Sequence, residues 1–390
     1  MRFFHLSDLH IGKQLYGYSL LEDQEWILEG ILKKLKERKP DALLICGDVY
    51  DKSVPSGEAV AVFDRFLCQA ANSVPGITIL MISGNHDSPE RLAFAGKILE
   101  QQRVYVEGLP PMTEQERIKK VTLEDAWGKV EFWLLPFVKP GYVKGVFAGK
   151  EPESYQEAVS GILEREELLE DSEHKLRRVL LTHQFFIAGG EKPKQSDSEM
   201  ITVGGLDQVD TACLKAFDYV AMGHIHRPQA MGKPSIYYCG TPLKYSVSEW
   251  DQKKYLTEVE LKDAGSQPEI TLHPLQPLRE VRMIRGRLED ILAAGGEEVS
   301  QDYVSITLTD EQEPYQPRER LERLFSRILE VKIDNTRTNM LAPDETSPEM
   351  VSDPQEIFHR FFWQMQGRKM NDGEQQVMEE IFQRIGGEQV

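Results

Sequence analysis

Over the first hundred residues, short apolar runs alternate with stretches of helical spacing. Arg2–Leu6 reads as a strand, and Leu20–Arg38 reads as a helix because Leu21, Ile27, Leu28, Ile31, Leu32 and Leu35 fall on one face. Pro40 stops that helix, since proline has no N–H to donate and clashes with the preceding turn. Ala42–Cys46 is apolar throughout, the pattern of a strand covered on both faces. A helix over about Ser56–Asn72 carries Val60, Phe63, Phe66 and Leu67. Pro75-Gly76 closes that unit, and Ile77–Ile82 is the third strand. Strand, helix, strand, helix, strand is the order of an α/β sandwich.

From Val121 onward the runs Glu131–Leu135, Arg178–Leu181, Tyr219–Met222 and Ser235–Cys239 predict further strands. A helix at about Ser154–Leu169 lies among them, and the strands Tyr255–Leu261 and Glu269–Pro274 follow. A new unit begins near Leu278, with an alternating run to Leu288, a strand at Tyr303–Leu308, a charged helix over Pro317–Glu330 and a closing strand at Glu330–Ile333. Asn335–Pro354 has little periodicity and the composition of a linker. Two short apolar helices follow, Asp353–Gln366 and Glu374–Ile385, turned by Asn371-Asp372-Gly373. Their apolar faces either fold back on the body or form a docking site for another protein.

The chain has 390 residues, 46 Lys and Arg against 64 Asp and Glu, and a net charge of −18. On charge alone a partner covered in phosphate is disfavoured, because neutralising phosphates takes clustered cations. No run approaches the roughly 18 apolar residues that a membrane helix needs, and the start, MRFFHLSDLH, has no cleavable signal pattern. Cys46, Cys68, Cys213 and Cys239 form no CxxC pair and lie in apolar sequence. They are expected to be reduced core thiols of a cytoplasmic protein. Gly145 to Glu151 superficially resembles a phosphate-binding loop, but it is one residue short and has Glu151 where Ser or Thr should stand, so it is not one.

Five of the nine histidines fall in short polar motifs, each directly after an apolar run. These are Ser7-Asp8-Leu9-His10, Gly47-Asp48-Val49-Tyr50-Asp51, Gly84-Asn85-His86-Asp87, Thr182-His183 and Gly223-His224-Ile225-His226. Strand ends converge on one rim of an α/β sheet, so Asp8, His10, Asp48, Asn85, His183, His224 and His226 can share a pocket. Carboxylate, amide and imidazole donors without cysteine suit manganese, iron or zinc in a catalytic site rather than structural zinc. Asp48 has two oxygens and can bridge two cations. Seven ligands over two metals leave positions open for water and substrate, as displacement at phosphorus requires. Singly, each motif has an ordinary explanation as a polar loop, a turn or a helix cap. Their joint occurrence after successive strands favours the metal site.

These motifs, D-x-H, G-D-x-x-D, G-N-H-D, a lone H and G-H-x-H, resemble the signature of the calcineurin-like metallophosphoesterase superfamily. The blocks Phe4 to Gly12, Ser196-Asp197-Ser198-Glu199 with Val203-Gly204-Gly205, Phe217 to Gln229 and Tyr238 to Glu249 resemble its SbcD-like nuclease branch. The resemblance implies a four-layer β-sandwich flanked by helices over residues 1–277. A small α/β capping domain (278–334), a linker (335–352) and a helical pair (353–390) docking on the coiled coil of an SbcC-like ATPase would follow. Phe358, Phe361, Phe362, Val377, Ile381 and Phe382 would be the docking anchors.

It further implies two Mn2+ ions, with Mg2+ possible, and no nucleotide bound by this chain. Asp8, His10, Asp48 and His226 would hold one ion, and Asp48, Asn85, His183 and His224 the other. His86 would face the scissile phosphate, while Asp51 and Asp87 would orient ligands or serve as turn and cap residues. The activity implied is metal-dependent DNA exonuclease and endonuclease cleavage in repair and recombination, by a cytoplasmic homodimer. The Ser56–Asn72 helix and the segment after Asp87 are the candidate dimer surfaces. A phosphomonoesterase or cyclic-nucleotide phosphodiesterase on the same scaffold is the first alternative, and a non-catalytic scaffold is the second. The charge argument also changes, because bound cations reverse the local sign. Residues 334–390 hold 11 acids and 5 bases, a net −6, which leaves −12 for the body. Such a protein should cut DNA better than it grips it.

Overall fold

The computed structural model describes residues 1–147, 149, 151–168, 176–199, 207–295, 300–312, 314–335, 358, 359, 362, 369–371 and 373–378. Its two largest sheets follow from period-two burial. In Arg2–Leu6, Ala42–Cys46 and Thr78–Ile82, one set of side chains (Phe4, Leu6, Leu43, Ile45, Ile79, Met81) packs under the helices Leu21–Arg38 and Gly57–Ala71. The alternate set, Phe3, Leu44, Cys46, Leu80 and Ile82, faces Phe132, Leu134, Val179, Leu181, Tyr219 and Ala221 of the second sheet. That sheet turns Trp133, Leu135, Leu180, Val220 and Met222 outward, onto the helix Tyr155–Arg165. The result is helix, sheet, sheet, helix, with Phe3 meeting Phe132 edge-on at 5.7 Å in the central layer.

The first sheet runs in the order Glu269–Pro274, Tyr255–Glu260, Arg2–Leu6, Ala42–Cys46, Thr78–Ile82, Val104–Glu107. The second runs Gln229–Met231, Lys233–Tyr238, Tyr219–Gly223, Arg177–His183, Gly128–Leu135, Lys119–Asp125. Each sheet has four parallel strands, with antiparallel pairing only toward its edges. The ends of the parallel strands therefore bring five loops together, three from the first sheet and two from the second. Away from those loops, fully buried Arg177 holds the sheets to each other. Its guanidinium donates to Asp125 and Gly128 O on its own side and to Leu261 O on the other.

The chain divides into two units: Met1–Met283 with Gly296–Ser305 and Glu322–Glu330, and Ile284–Gly295 with Ile306–Leu321 and Val331–Val390. The second unit includes the helices Leu288–Ala294 and Pro317–Leu321, with Leu288, Ile291, Ile306, Leu308 and Leu321 buried. Val281–Gly286, Tyr303–Leu308 and Arg327–Ile333 form a three-stranded sheet in that order.

Several elements differ from the sequence reading. The charged helix stops at Leu321 instead of Glu330, because Arg327–Ile333, rich in β-branched residues, is used as a strand. The helix read as ending near Leu169 ends at Arg165. Val104–Glu107, only four residues long, was not anticipated. Cys46, Cys213 and Cys239 are buried, but Cys68 is exposed, lying off the face that buries Val62, Phe63, Phe66 and Ala70. Glu151 pairs with Lys144 at 2.7 Å. Of the expected docking anchors, Phe358 and Val377 are exposed and Phe362 is partly buried, whereas Phe361, Ile381 and Phe382 lie outside the described residues. Among the described residues no helix is long and apolar enough to cross a membrane.

Close approach at the convergence of loops depends on glycine. A Cβ on Gly223 would lie 2.0 Å from Cys46 O and 2.7 Å from His183 Nδ1. Gly223→Ala is therefore expected to lower stability by ~1–3 kcal/mol. Gly30, exposed in the helix Leu21–Arg38, has open space around its missing Cβ. Gly30→Ala should raise stability by about 0.5–1 kcal/mol. Urea unfolding midpoints measure both, and equal shifts would refute the steric account.

Candidate metal centre

Five strands of the two sheets each end in a loop that contributes to one buried cluster. After Arg2–Leu6 come Asp8 and His10; after Ala42–Cys46, Asp48; after Thr78–Ile82, Asn85 and His86. The second sheet supplies His183 at the end of its strand, then His224 and His226 beyond Tyr219–Gly223. Asp8, His10, Asp48 and His224 all have positive φ, between 43° and 96°. Non-glycine residues rarely occupy that region, and such strain persists only where the surroundings enforce it. Here backbone bonds do so: Asp8 N donates to Gly47 O at 3.0 Å and His10 N to Asp48 O at 2.9 Å.

Asp8, His10, Asp48, His183, His224 and His226 are buried, while Asn85 and His86 are only partly so and mark the open side. His10 Nε2 and His226 Nε2 approach to 3.3 Å. His183 Nε2 lies 3.1 Å from Asn85 Oδ1, 3.3 Å from Asp48 Oδ2 and 3.9 Å from Asp8 Oδ1. His224 Nδ1 lies 3.0 Å from the same Asn85 oxygen. Three groupings have donor atoms close enough for one cation: Asp8, His10 and His226; Asp8, Asp48 and His183; and His10, Asp48 and His86. All seven residues expected as ligands, and His86, thus lie in one place.

The donor set fits a cation on two grounds. His183 Nδ1 donates to Cys46 O at 2.8 Å, which places the Nε2 lone pair of the neutral ring among carboxylate and amide oxygens. Facing lone pairs repel unless a proton or a metal lies between them. The electrostatics agree. Burial opposes a charge on His183, but Asp48 and then Asp8 outweigh it and lift its pKa to about 9. Burial likewise opposes ionisation of Asp48, yet His183, His10 and His86 hold it well below the usual carboxylate range. For Asp8 burial prevails and raises the pKa. His10 and His224 are pushed down by burial and stay neutral, as metal-binding imidazoles must be.

The surrounding shell is specific. Asp87 accepts from Gly84 N, Val49 N and Tyr50 N, and so ties together two of the ligand loops. Burial, then Asp48, raises it to about 6. Asp51 receives Lys13 Nζ at 2.9 Å, and its backbone oxygen accepts from His86 Nδ1 at 2.9 Å. Gln24 donates to His10 O and Leu9 O and accepts from Gly12 N, steadying the Asp8–His10 loop.

A circuit behind His226 escaped sequence reasoning. His226 Nδ1 donates to Ser198 Oγ at 2.7 Å, Ser198 donates to Glu249 at 2.6 Å, and Glu249 binds buried Lys254 at 2.5 Å. Lys254 returns to His226 O at 3.0 Å. Glu199 accepts from His226 N at 2.8 Å. Ser198, Glu199 and Glu249 lie in blocks singled out by resemblance, but nothing in their spacing indicated that they orient a histidine.

A calcineurin-like phosphoesterase family model matches residues 1–228, and the chain belongs to that family. A second model, described as the type 5 capsule protein repressor C-terminal domain, matches residues 274–366. The SbcD component of the SbcCD nuclease from Staphylococcus epidermidis is 34% identical over 331 residues, 84% of each chain. That from Staphylococcus saprophyticus is 29% identical over 384 residues, covering 98% of this chain and 97% of its own. Within the phosphoesterases, then, the chain belongs to the SbcD family. A solved dimetal phosphatase from Danio rerio is similar at 10% identity over 70% of this chain and 99% of its own, with a TM-score of 0.37, too slight a likeness to bear on chemistry.

Two outcomes follow from this geometry. Ser198→Ala should weaken Mn2+ binding about tenfold in calorimetry with the fold intact; unchanged affinity would remove the circuit's role. The folded-state pKa of His183, about 9, exceeds the ordinary 6.5. Its protonation therefore stabilises the metal-free fold fully below pH 6.5, and that gain is lost as pH rises through 9. A cation bound at Nε2 would replace this proton, and in that case the rise in Tm on adding Mn2+ should grow from pH 6.5 to 9. A constant increment would place the cation elsewhere.

Proposed function

We propose that this chain is a metal-dependent DNA nuclease that hydrolyses phosphodiester bonds, with exonuclease and endonuclease activity, as the SbcD component of an SbcCD complex. The observation that carries the reading is the convergence of seven oxygen and imidazole donors, on an open-sided cluster, in a chain 34% identical to an SbcD nuclease. Asp8, His10, Asp48 and His226 would hold one cation, and Asp48, Asn85, His183 and His224 a second, Mn2+ by preference for imidazole-rich sites and otherwise Mg2+. When bound, such a pair supplies Lewis-acid activation of water and of the phosphate.

The chain's own residues do the rest. Asp48 Oδ1 accepts from His86 N at 2.8 Å, so the loop that carries His86 is anchored on the proposed bridging carboxylate. With its Nδ1 turned to Asp51 O, His86 presents Nε2 at the partly exposed side, toward a phosphate oxygen or the leaving oxygen. Asp51 and Asp87 hold the ligand loops in place. Residues 278–334 serve as the capping domain, and 335–352 link it to a helical segment, 353–390, that docks on an SbcC-like ATPase. Phe358, Phe361, Phe362, Val377, Ile381 and Phe382 are its anchors. A second copy would pack near the helix Gly57–Ala71 and the segment after Asp87, where Val60, Phe94 and Ile98 are exposed. A cytoplasmic location accords with the buried, unpaired thiols of Cys46, Cys213 and Cys239.

His86→Ala should leave Mn2+ affinity within about twofold and reduce cleavage of a DNA end by about 100-fold or more. Retained cleavage would exclude the proposed role of His86. Robust hydrolysis of an aryl phosphate monoester with no cleavage of DNA would instead favour the phosphomonoesterase reading.

A further inference from the structure

The segment Pro136–Tyr142 leaves the second sheet beside the cluster and is held from two sides. Phe137 N donates to Ser83 O at 3.1 Å, just before the loop that carries Asn85. Buried Val138 exchanges bonds with Gln184, the neighbour of His183, at 2.9 and 3.2 Å. The segment is thus bolted to one ligand loop from each sheet. Phe137 lies parallel to the His224 ring at 6.4 Å and edge-on to His183 at 6.3 Å. Beyond it, Lys139 Nζ is 5.7 Å from the centre of the Phe137 ring and 5.5 Å from that of Tyr142.

Lys139 is partly buried, and among the described residues it has no carboxylate within ion-pair distance. It differs in this from Lys13, Lys144 and Lys254, which pair with Asp51, Glu151 and Glu249. The faces of Phe137 and Tyr142 attract the ammonium without using up its hydrogen-bond donors. Two rings restrict the stem in advance, so less side-chain entropy is lost when an anion arrives.

We propose that Lys139 binds a phosphate of the nucleic-acid strand next to the one being cleaved. This inference rests on the nuclease reading and names how that site distinguishes a polynucleotide from a small ester, which has no second phosphate to offer. Phe137 and Tyr142 act as positioning residues for the ammonium.

The test uses the full chain with Mn2+ and a short DNA duplex, measuring kcat and KM across a salt series. Lys139→Gln should raise KM about five- to tenfold with kcat nearly kept, and should flatten the salt slope of kcat/KM by about one. Lys139→Arg should restore both. Lys144→Gln removes a charge already neutralised by Glu151 and serves as the control. Cleavage by Lys139→Gln with unchanged KM and slope overturns the proposal while leaving the nuclease reading intact. So does a loss confined to kcat, or an equal effect from Lys144→Gln. Absence of DNA cleavage by the unsubstituted chain overturns the nuclease reading and this proposal with it.

Discussion

The hydrogen bond from His183 Nδ1 to Cys46 O joins the two halves of the sandwich and sets its chemistry. It crosses between the sheets at the point where their parallel strands end. It requires Gly47 and Gly223, since a Cβ on either would run into the imidazole. It also fixes the tautomer, sending the Nε2 lone pair of His183 toward Asp48, Asn85 and Asp8. A ring one atom's width further away would neither bridge the sheets nor complete the cluster. Packing and ligand geometry are therefore the same constraint seen from two sides.

That constraint creates an electrostatic deficit. Buried carboxylates face the His183 imidazole, whose Nδ1 proton is turned away to Cys46 O, and Asp48 and Asp8 together favour a positive charge there. Outside this cluster, ion pairs absorb many of the cations, including Lys254 and Arg177. An acidic chain can still be a phosphodiesterase because its useful positive charge is local, supplied by what the cluster binds and by cationic groups at its rim.

The strands and the cluster were legible because each ligand follows immediately on an apolar strand, so local sequence order is also spatial order. Arg2–Leu6, Ala42–Cys46 and Glu269–Pro274 have the same bounds in sequence and structure. The steric task of Gly47 and Gly223 was not legible, because it depends on a second sheet that periodicity does not place. Ser198, Glu249 and Lys254 were not legible as supports of His226, because Ser198 meets partners 28 and 51 residues away through ordinary polar side chains. Glu330–Ile333 was legible as a strand, but the first residues of Arg327–Ile333 continue the preceding helical pattern locally, and sheet pairing overrides it. The acidic total of the chain was the poorest guide, since a sum over all residues says nothing of where the charge lies.

The central claim is that seven residues from two sheets hold two cations at one cleft. Anomalous diffraction from crystals grown with Mn2+ addresses it directly. The expected map has two adjacent peaks, one against Asp8, His10 and His226, the other against Asn85, His183 and His224, with Asp48 touching both. A single peak, or peaks that leave His183 and Asp48 unligated, would contradict the account.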